Sequence, residues 1–118
     1  KPNCGDYMDN ITMHSVEHMF ATYVRNSKIG RKIIYFGPMG CRTGFYLLLV
    51  GDLESRDVLS LVTDCFRFVR DYRGEIPGAS AKDCGNYLDM NLPMAKYLAA
   101  RYHALLETIT PDRLVYPE

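Results

Sequence analysis

The chain has 118 residues, 47% hydrophobic and 24% charged, with 14 Lys and Arg against 14 Asp and Glu. That length supports one core, so residues 1–118 are expected to form a single domain, and the balanced charge excludes a bulk field that would recruit nucleic acid or an anionic membrane. No apolar run approaches the roughly 20 residues that span a bilayer, and no secretory signal is legible.

Residues 1–11 are polar and contain Pro, Gly and Asn, which predicts a loop. Thr12 is the expected N-cap of a first helix from Met13 to about Asn26, with Val16, Met19, Phe20, Tyr23 and Val24 as its apolar face. Ile33-Ile34-Tyr35-Phe36 and Phe45-Tyr46-Leu47-Leu48-Leu49-Val50 are β-branched and aromatic runs joined by a Gly/Pro-rich connection, which predicts an antiparallel pair. A second helix is predicted from about Glu54 to Tyr72, its buried stripe formed by Val58, Leu61, Val62, Cys65, Phe66 and Val69. Glu75 and Ile76 suggest a short edge strand, limited by Pro77. Asn91 caps a third helix with Pro93 in its first turn and Met94, Tyr97, Leu98, Tyr102, Leu105 and Leu106 as the apolar face. Pro111 ends it, and the tail to Glu118 is expected to be irregular. The order predicts an α+β fold, an antiparallel sheet with helices packed on one face. Two or three strands are few for such a sheet, which points to a missing N-terminal portion or to a partner chain that completes the layer.

The first predicted helix carries His14-Ser15-Val16-Glu17-His18, an H-x-x-E-H run. Positions i and i+4 stack on one helix face, so two imidazole nitrogens can aim at one point. Two His and an adjacent carboxylate are the parts of a catalytic transition-metal site, and the run is the signature of the inverzincin metallopeptidases. A third ligand is required, with Cys41, Cys84, His103 and the carboxylates as candidates. Cys84 is followed by Gly85 and precedes a helix N-terminus that favours thiolate. Cys41 lies in Gly40-Cys41-Arg42-Thr43-Gly44, where the Arg42 cation is expected to lower the thiol pKa. Physical chemistry favours Cys84 as ligand and Cys41 as acid/base, and leaves the reverse open. Cys4 and Cys65 are read as inert. The four cysteines form no C-x-x-C pair, which fits reduced thiols in a cytoplasmic protein.

Three blocks, His14–His18, Gly37-Pro38-Met39-Gly40-Cys41-Arg42-Thr43-Gly44-Phe45-Tyr46 and Cys84-Gly85-Asn86-Tyr87-Leu88-Asp89, resemble in order and spacing the LuxS family of S-ribosylhomocysteine lyases. The resemblance covers nearly the whole chain. It implies one divalent metal per chain held by His14, His18 and Cys84, with Fe(II) as the native ion and Zn(II) as a common occupant. It assigns Glu17 and Cys41 as the acid/base pair and allows Arg42 a part in substrate binding or electrostatics. The implied reaction converts S-ribosylhomocysteine to homocysteine and 4,5-dihydroxy-2,3-pentanedione, the precursor of the quorum-sensing signal autoinducer-2. Bacterial cytoplasmic homodimers with active sites near the interface are implied as well. The family carries an N-terminal segment before the position of Lys1 that has no counterpart here, so the expectation for this chain alone is metal binding with turnover lost or much weakened. The competing expectations are an inverzincin-like peptidase, with Glu17 activating water, and a truncated metal-binding chain without turnover.

Overall fold

A computed structural model describes residues 1–115, so the expectation of an irregular tail from residue 116 onward lies outside the described residues. Three helices, α1 (Asn10–Arg25), α2 (Ser55–Asp71) and α3 (Leu92–Glu107), accompany two strands, β1 (Ile33–Pro38) and β2 (Phe45–Leu49). Short 3-10 turns occupy Gly30–Lys32 and Pro111–Leu114. None of the described helices is long and apolar enough to cross a membrane.

Helix α1 begins before the predicted start. Asp9, not Thr12, is its N-cap, and the Asp9 Oδ1 accepts the Thr12 backbone N–H at 2.7 Å. A carboxylate at this position satisfies an orphan N–H and favours the positive end of the helix dipole. Thr12 is instead buried inside the first turn. The expected apolar face holds: Val16, Met19, Phe20 and Val24 are buried.

The strands pair antiparallel with Phe36 opposite Leu47 and Pro38 opposite Phe45, and an irregularity lies between Ile33 and Tyr35. The inner face of this pair rests on α1. Phe36 stacks on Phe20 at 3.9 Å between ring centroids and on Phe45 at 4.9 Å. Phe20 then meets Phe66 of α2 at 5.5 Å, and Phe66 meets Tyr102 of α3 at 4.8 Å. This row of rings links every layer, and each ring adds a large buried area with a preferred stacking geometry. The α+β architecture with helices against an antiparallel sheet is therefore as expected.

Helix α2 starts with a capping box, Glu54 and Asp57 each bonding the other's backbone N–H. Cys65, Phe66 and Val69 are its buried residues, while Val58, Leu61 and Val62 are half-buried. Asn91 caps α3 as expected, its side chain accepting the Met94 N–H at 3.1 Å. The predicted apolar face of α3 holds at Leu106 and, half-buried, at Leu98, but not at its other positions. Ala95, Ala99, His103 and Leu106 are buried, whereas Met94, Tyr97, Tyr102 and Leu105 are exposed. Small residues let α3 approach α2 closely, and that close approach overrides the larger hydrophobicity of the opposite face. Glu75 and Ile76 form no strand. Pro77 cannot donate to a ladder, the Ala79 N–H turns back to the Ile76 carbonyl at 3.1 Å, and Ile76 is buried as a core residue.

Candidate metal centre

The i, i+4 spacing on α1 brings His14 and His18 together with their rings edge to face, centroids 4.7 Å apart. The segment between α2 and α3 folds back along this face and supplies everything else. The Nδ1–H of His14 donates to the Asp89 carbonyl at 2.9 Å, and that of His18 to the Pro77 carbonyl at 3.0 Å. A carbonyl can only accept, so both rings carry their proton on Nδ1 and present a lone pair at Nε2. The chain reaches His18 through Gly78, whose φ of +74° belongs to the left-handed region and whose added Cβ would lie 3.1 Å from His18 Nδ1. Glycine is therefore required there by conformation and by space.

The two Nε2 atoms lie 3.1 Å apart, and the Cys84 sulfur lies 3.5 Å from His14 Nε2. One donor atom from each of the three residues falls within 4.8 Å of the others. With both Nδ1 positions committed to carbonyls, the two Nε2 atoms and the thiol are left facing one another as possible donors to a cation. Tetrahedral bonding at ordinary metal–nitrogen and metal–sulfur lengths places such atoms about 3.3 Å and about 3.6 Å apart. The His14–His18 and His14–Cys84 separations come close to these values, and the triad can hold a metal ion. Carbonyl partners on each distal nitrogen are what orient histidine ligands in metal sites.

Cys84 is held by its own loop. Its N–H bonds the Ser80 carbonyl at 2.9 Å, and its sulfur accepts the Asn86 N–H at 3.4 Å. The expected influence of a helix N-terminus on this thiol is not seen, since α3 begins only at Leu92. Glu17 is half-buried on α1, directly before His18, and enters no ion pair among the described residues.

Cys41 and Arg42 sit elsewhere, on the β1–β2 connection. The Met39 N–H bonds the Gly44 carbonyl at 2.9 Å and the Arg42 N–H bonds the Met39 carbonyl at 3.0 Å, with Arg42 itself at a φ of +63°. Cys41 is exposed and shares a cavity of about 340 Å³ with residues of the N-terminal loop and Thr43, a cavity that none of the three clustered donors lines. The Cys41 thiol is held below its ordinary pKa by the Thr43 side chain, 3.0 Å away, and by the Thr43 backbone N–H. This corrects the expectation that Arg42 does so: its guanidinium lies over the Tyr7 ring, 4.5 Å from the centroid. His103 is buried between Arg70 and Glu107 and lies outside the cluster. Cys65 is buried, and burial pushes its thiol well up, as an inert core thiol requires. Cys4 is exposed.

The partners that orient the donors are main-chain carbonyls of Pro77 and Asp89, which carry no residue-type signal. Only the Pro77-Gly78 pair marks one of them in the sequence. Thr43 was detectable as a hydroxyl two residues from a thiol.

A small α+β domain thus carries, on one helix and one return loop, a His-His-Cys donor set able to hold a metal ion. The family model described as S-ribosylhomocysteinase (LuxS) matches residues 1–111, and the chain belongs to the LuxS family. The S-ribosylhomocysteine lyase of Clostridium beijerinckii is 56% identical over 119 residues, covering 99% of this chain and 75% of that protein. Those of Clostridium acetobutylicum and Finegoldia magna are each 52% identical, covering 99% of this chain and 75% and 74% of their own lengths.

Proposed function

We propose that this chain is an S-ribosylhomocysteine lyase whose metal centre is His14, His18 and Cys84 and whose proton carriers are Glu17 and Cys41. The observation that supports it most is the convergence of two Nε2 lone pairs and one sulfur within 4.8 Å, in a chain that matches the lyase family over residues 1–111. Residues 1–118 act as one domain.

A divalent ion in this site supplies a Lewis acid for the carbonyl of the opened ribose. Two imidazoles and one thiolate suit both Fe(II) and Zn(II), and the family resemblance points to Fe(II) as the native ion. Glu17, beside His18, removes and returns protons on the sugar carbons. Cys41, whose thiolate is favoured by Thr43, does the same from the other side of the substrate. Two successive isomerisations move the carbonyl from C1 to C2 and then to C3. Each takes a proton from one sugar carbon and returns one to its neighbour, while a hydroxyl proton passes to the former carbonyl oxygen. Loss of the C4 proton then drives β-elimination, which breaks the C5–S bond and releases homocysteine, with 4,5-dihydroxy-2,3-pentanedione as the second product. Arg42 contributes positive charge at the hairpin connection, for substrate binding. A cytoplasmic homodimer, with the site near its interface, brings the hairpin connection and the metal centre of the pair into one pocket.

The test is to incubate the full-length, metal-loaded protein with S-ribosylhomocysteine and identify both products by mass spectrometry. Equal amounts of homocysteine and the dihydroxypentanedione are expected, with turnover lowered at least about 100-fold in Glu17→Gln and in Cys41→Ala. Absence of both products overturns the proposal, and chelator-sensitive peptide cleavage would assign the site to a hydrolase instead.

A further inference from the structure

Ser15 lies within the H-x-x-E-H run but takes no place in the donor cluster, and it is fully buried. Its Oγ donates to the Ile11 carbonyl at 2.8 Å, which commits its one proton. Its lone pair then accepts the backbone N–H of Asn91 at 2.8 Å, and the Met90 sulfur lies 3.7 Å away. Asn91 stands two positions after Asp89, the residue whose carbonyl receives the His14 Nδ1–H at 2.9 Å. Two adjacent residues of α1 thus reach across to the same short segment, one through a ligand's outer nitrogen and one through a buried hydroxyl. The far end of that segment is pinned as well, because the Asn91 side chain caps α3.

We propose that Ser15 is a positioning residue for the metal centre: by clamping Asn91 onto α1 it fixes the Asp89 carbonyl, which holds His14 with its Nε2 lone pair toward the other donors. This rests on the reading of His14, His18 and Cys84 as metal ligands. Alanine at position 15 leaves the Asn91 N–H buried without a partner, so the segment loosens and the His14 ring loses its fixed orientation. Threonine keeps the hydroxyl and can make the same bond to the carbonyl four residues back.

The test measures Zn(II) affinity of the full-length protein by competition with a chromophoric chelator, for Ser15→Ala and Ser15→Thr. Loss of an outer partner typically weakens metal binding by about 10- to 100-fold. A loss of about tenfold is expected for Ser15→Ala, and retention for Ser15→Thr. Cys65→Ala, a cavity in the core of α2, serves as the control that lowers the melting temperature without changing affinity. A second readout needs no metal: the His14 Nδ1–H resonance of the metal-free protein is expected to broaden or exchange faster in Ser15→Ala and to persist in Ser15→Thr. Should Ser15→Ala not fold, Ser15→Val against Ser15→Thr makes the same comparison at constant shape.

The proposal is overturned if folded Ser15→Ala keeps both the parental affinity and a sharp His14 resonance. Equal loss of affinity in Cys65→Ala also overturns it, by showing a general effect of stability. If the parental protein binds no Zn(II), the metal-centre reading fails by itself, and the His14 resonance alone decides whether Ser15 orients that ring.

Discussion

Cys41 and Thr43 show how two neighbouring side chains set a reactivity that charge counting misassigns. A hydrogen bond to sulfur stabilises thiolate over thiol, so the Thr43 hydroxyl and N–H hold the Cys41 pKa below its ordinary value. The thiolate is therefore present at a lower pH than in a free cysteine, and removing the donor must move its appearance to higher pH. Thr43→Val is expected to shift the midpoint of Cys41 alkylation upward, as read by peptide mass spectrometry across a pH series. Thr43→Ser is expected to leave it unshifted, and so is Arg42→Ala, because that guanidinium is stacked on Tyr7. An upward shift in Arg42→Ala as large as that in Thr43→Val would restore Arg42 as the cause. The Nε2 atoms of His14 and His18 belong to the same scale. Their mutual approach at 3.1 Å depends on two carbonyls that the sequence does not encode as residue types.

Helix α1 is anchored at Asp9, whose carboxyl is held below the usual range chiefly by the Thr12 N–H. A depressed carboxyl pKa contributes stability above the ordinary carboxylate range and loses it as pH falls through the depressed value. Asp9→Ala is expected to cost about 1 kcal/mol at neutral pH, with the gap to the parent closing in acid. Denaturant melts at both pH values check this, and a gap that persists or widens in acid contradicts it. Helix α3 gives a second test, since Ala99 is fully buried while Leu105 is exposed. Ala99→Leu is expected to destabilise by about 1–3 kcal/mol through overpacking, while Leu105→Ser, on the exposed face, stays within about 0.5 kcal/mol. The reverse order would return α3 to the orientation its hydrophobic pattern suggests. Both strands, all three helices and the α2 stripe were legible, because period-2 and period-3.6 patterns and the Asn91 cap are local signals. The N-cap of α1 was misplaced because Asp9 and Thr12 are both good caps and only the folded geometry chooses. The face of α3 was misread because two alanines give little hydrophobic signal yet permit the closest packing. The two His donors were legible from spacing and Cys84 from the resemblance of its block to the family, whereas the loop that brings Cys84 back to α1 is a tertiary fact.

At the scale of the whole molecule, the sheet is covered by helices on its inner side only. Its other side presents Ile34, Tyr46 and Leu48, all exposed. Such a patch favours association, and it supports the proposed homodimer. Leu48→Glu is expected to lower the sedimenting mass of the full-length protein toward that of one chain. A parent that already sediments as one chain, or a variant that still pairs, contradicts the dimer. The central proposal is that lyase turnover runs through a single ion at His14, His18 and Cys84, which the donor geometry and the family support. The most direct test titrates the metal-stripped, full-length protein with Fe(II) or Zn(II) and follows homocysteine thiol release from S-ribosylhomocysteine. Release is predicted to rise with added metal, to level off at about one ion per chain, and to be lost in Cys84→Ala. Release that needs no metal, or that survives in Cys84→Ala, would contradict the account.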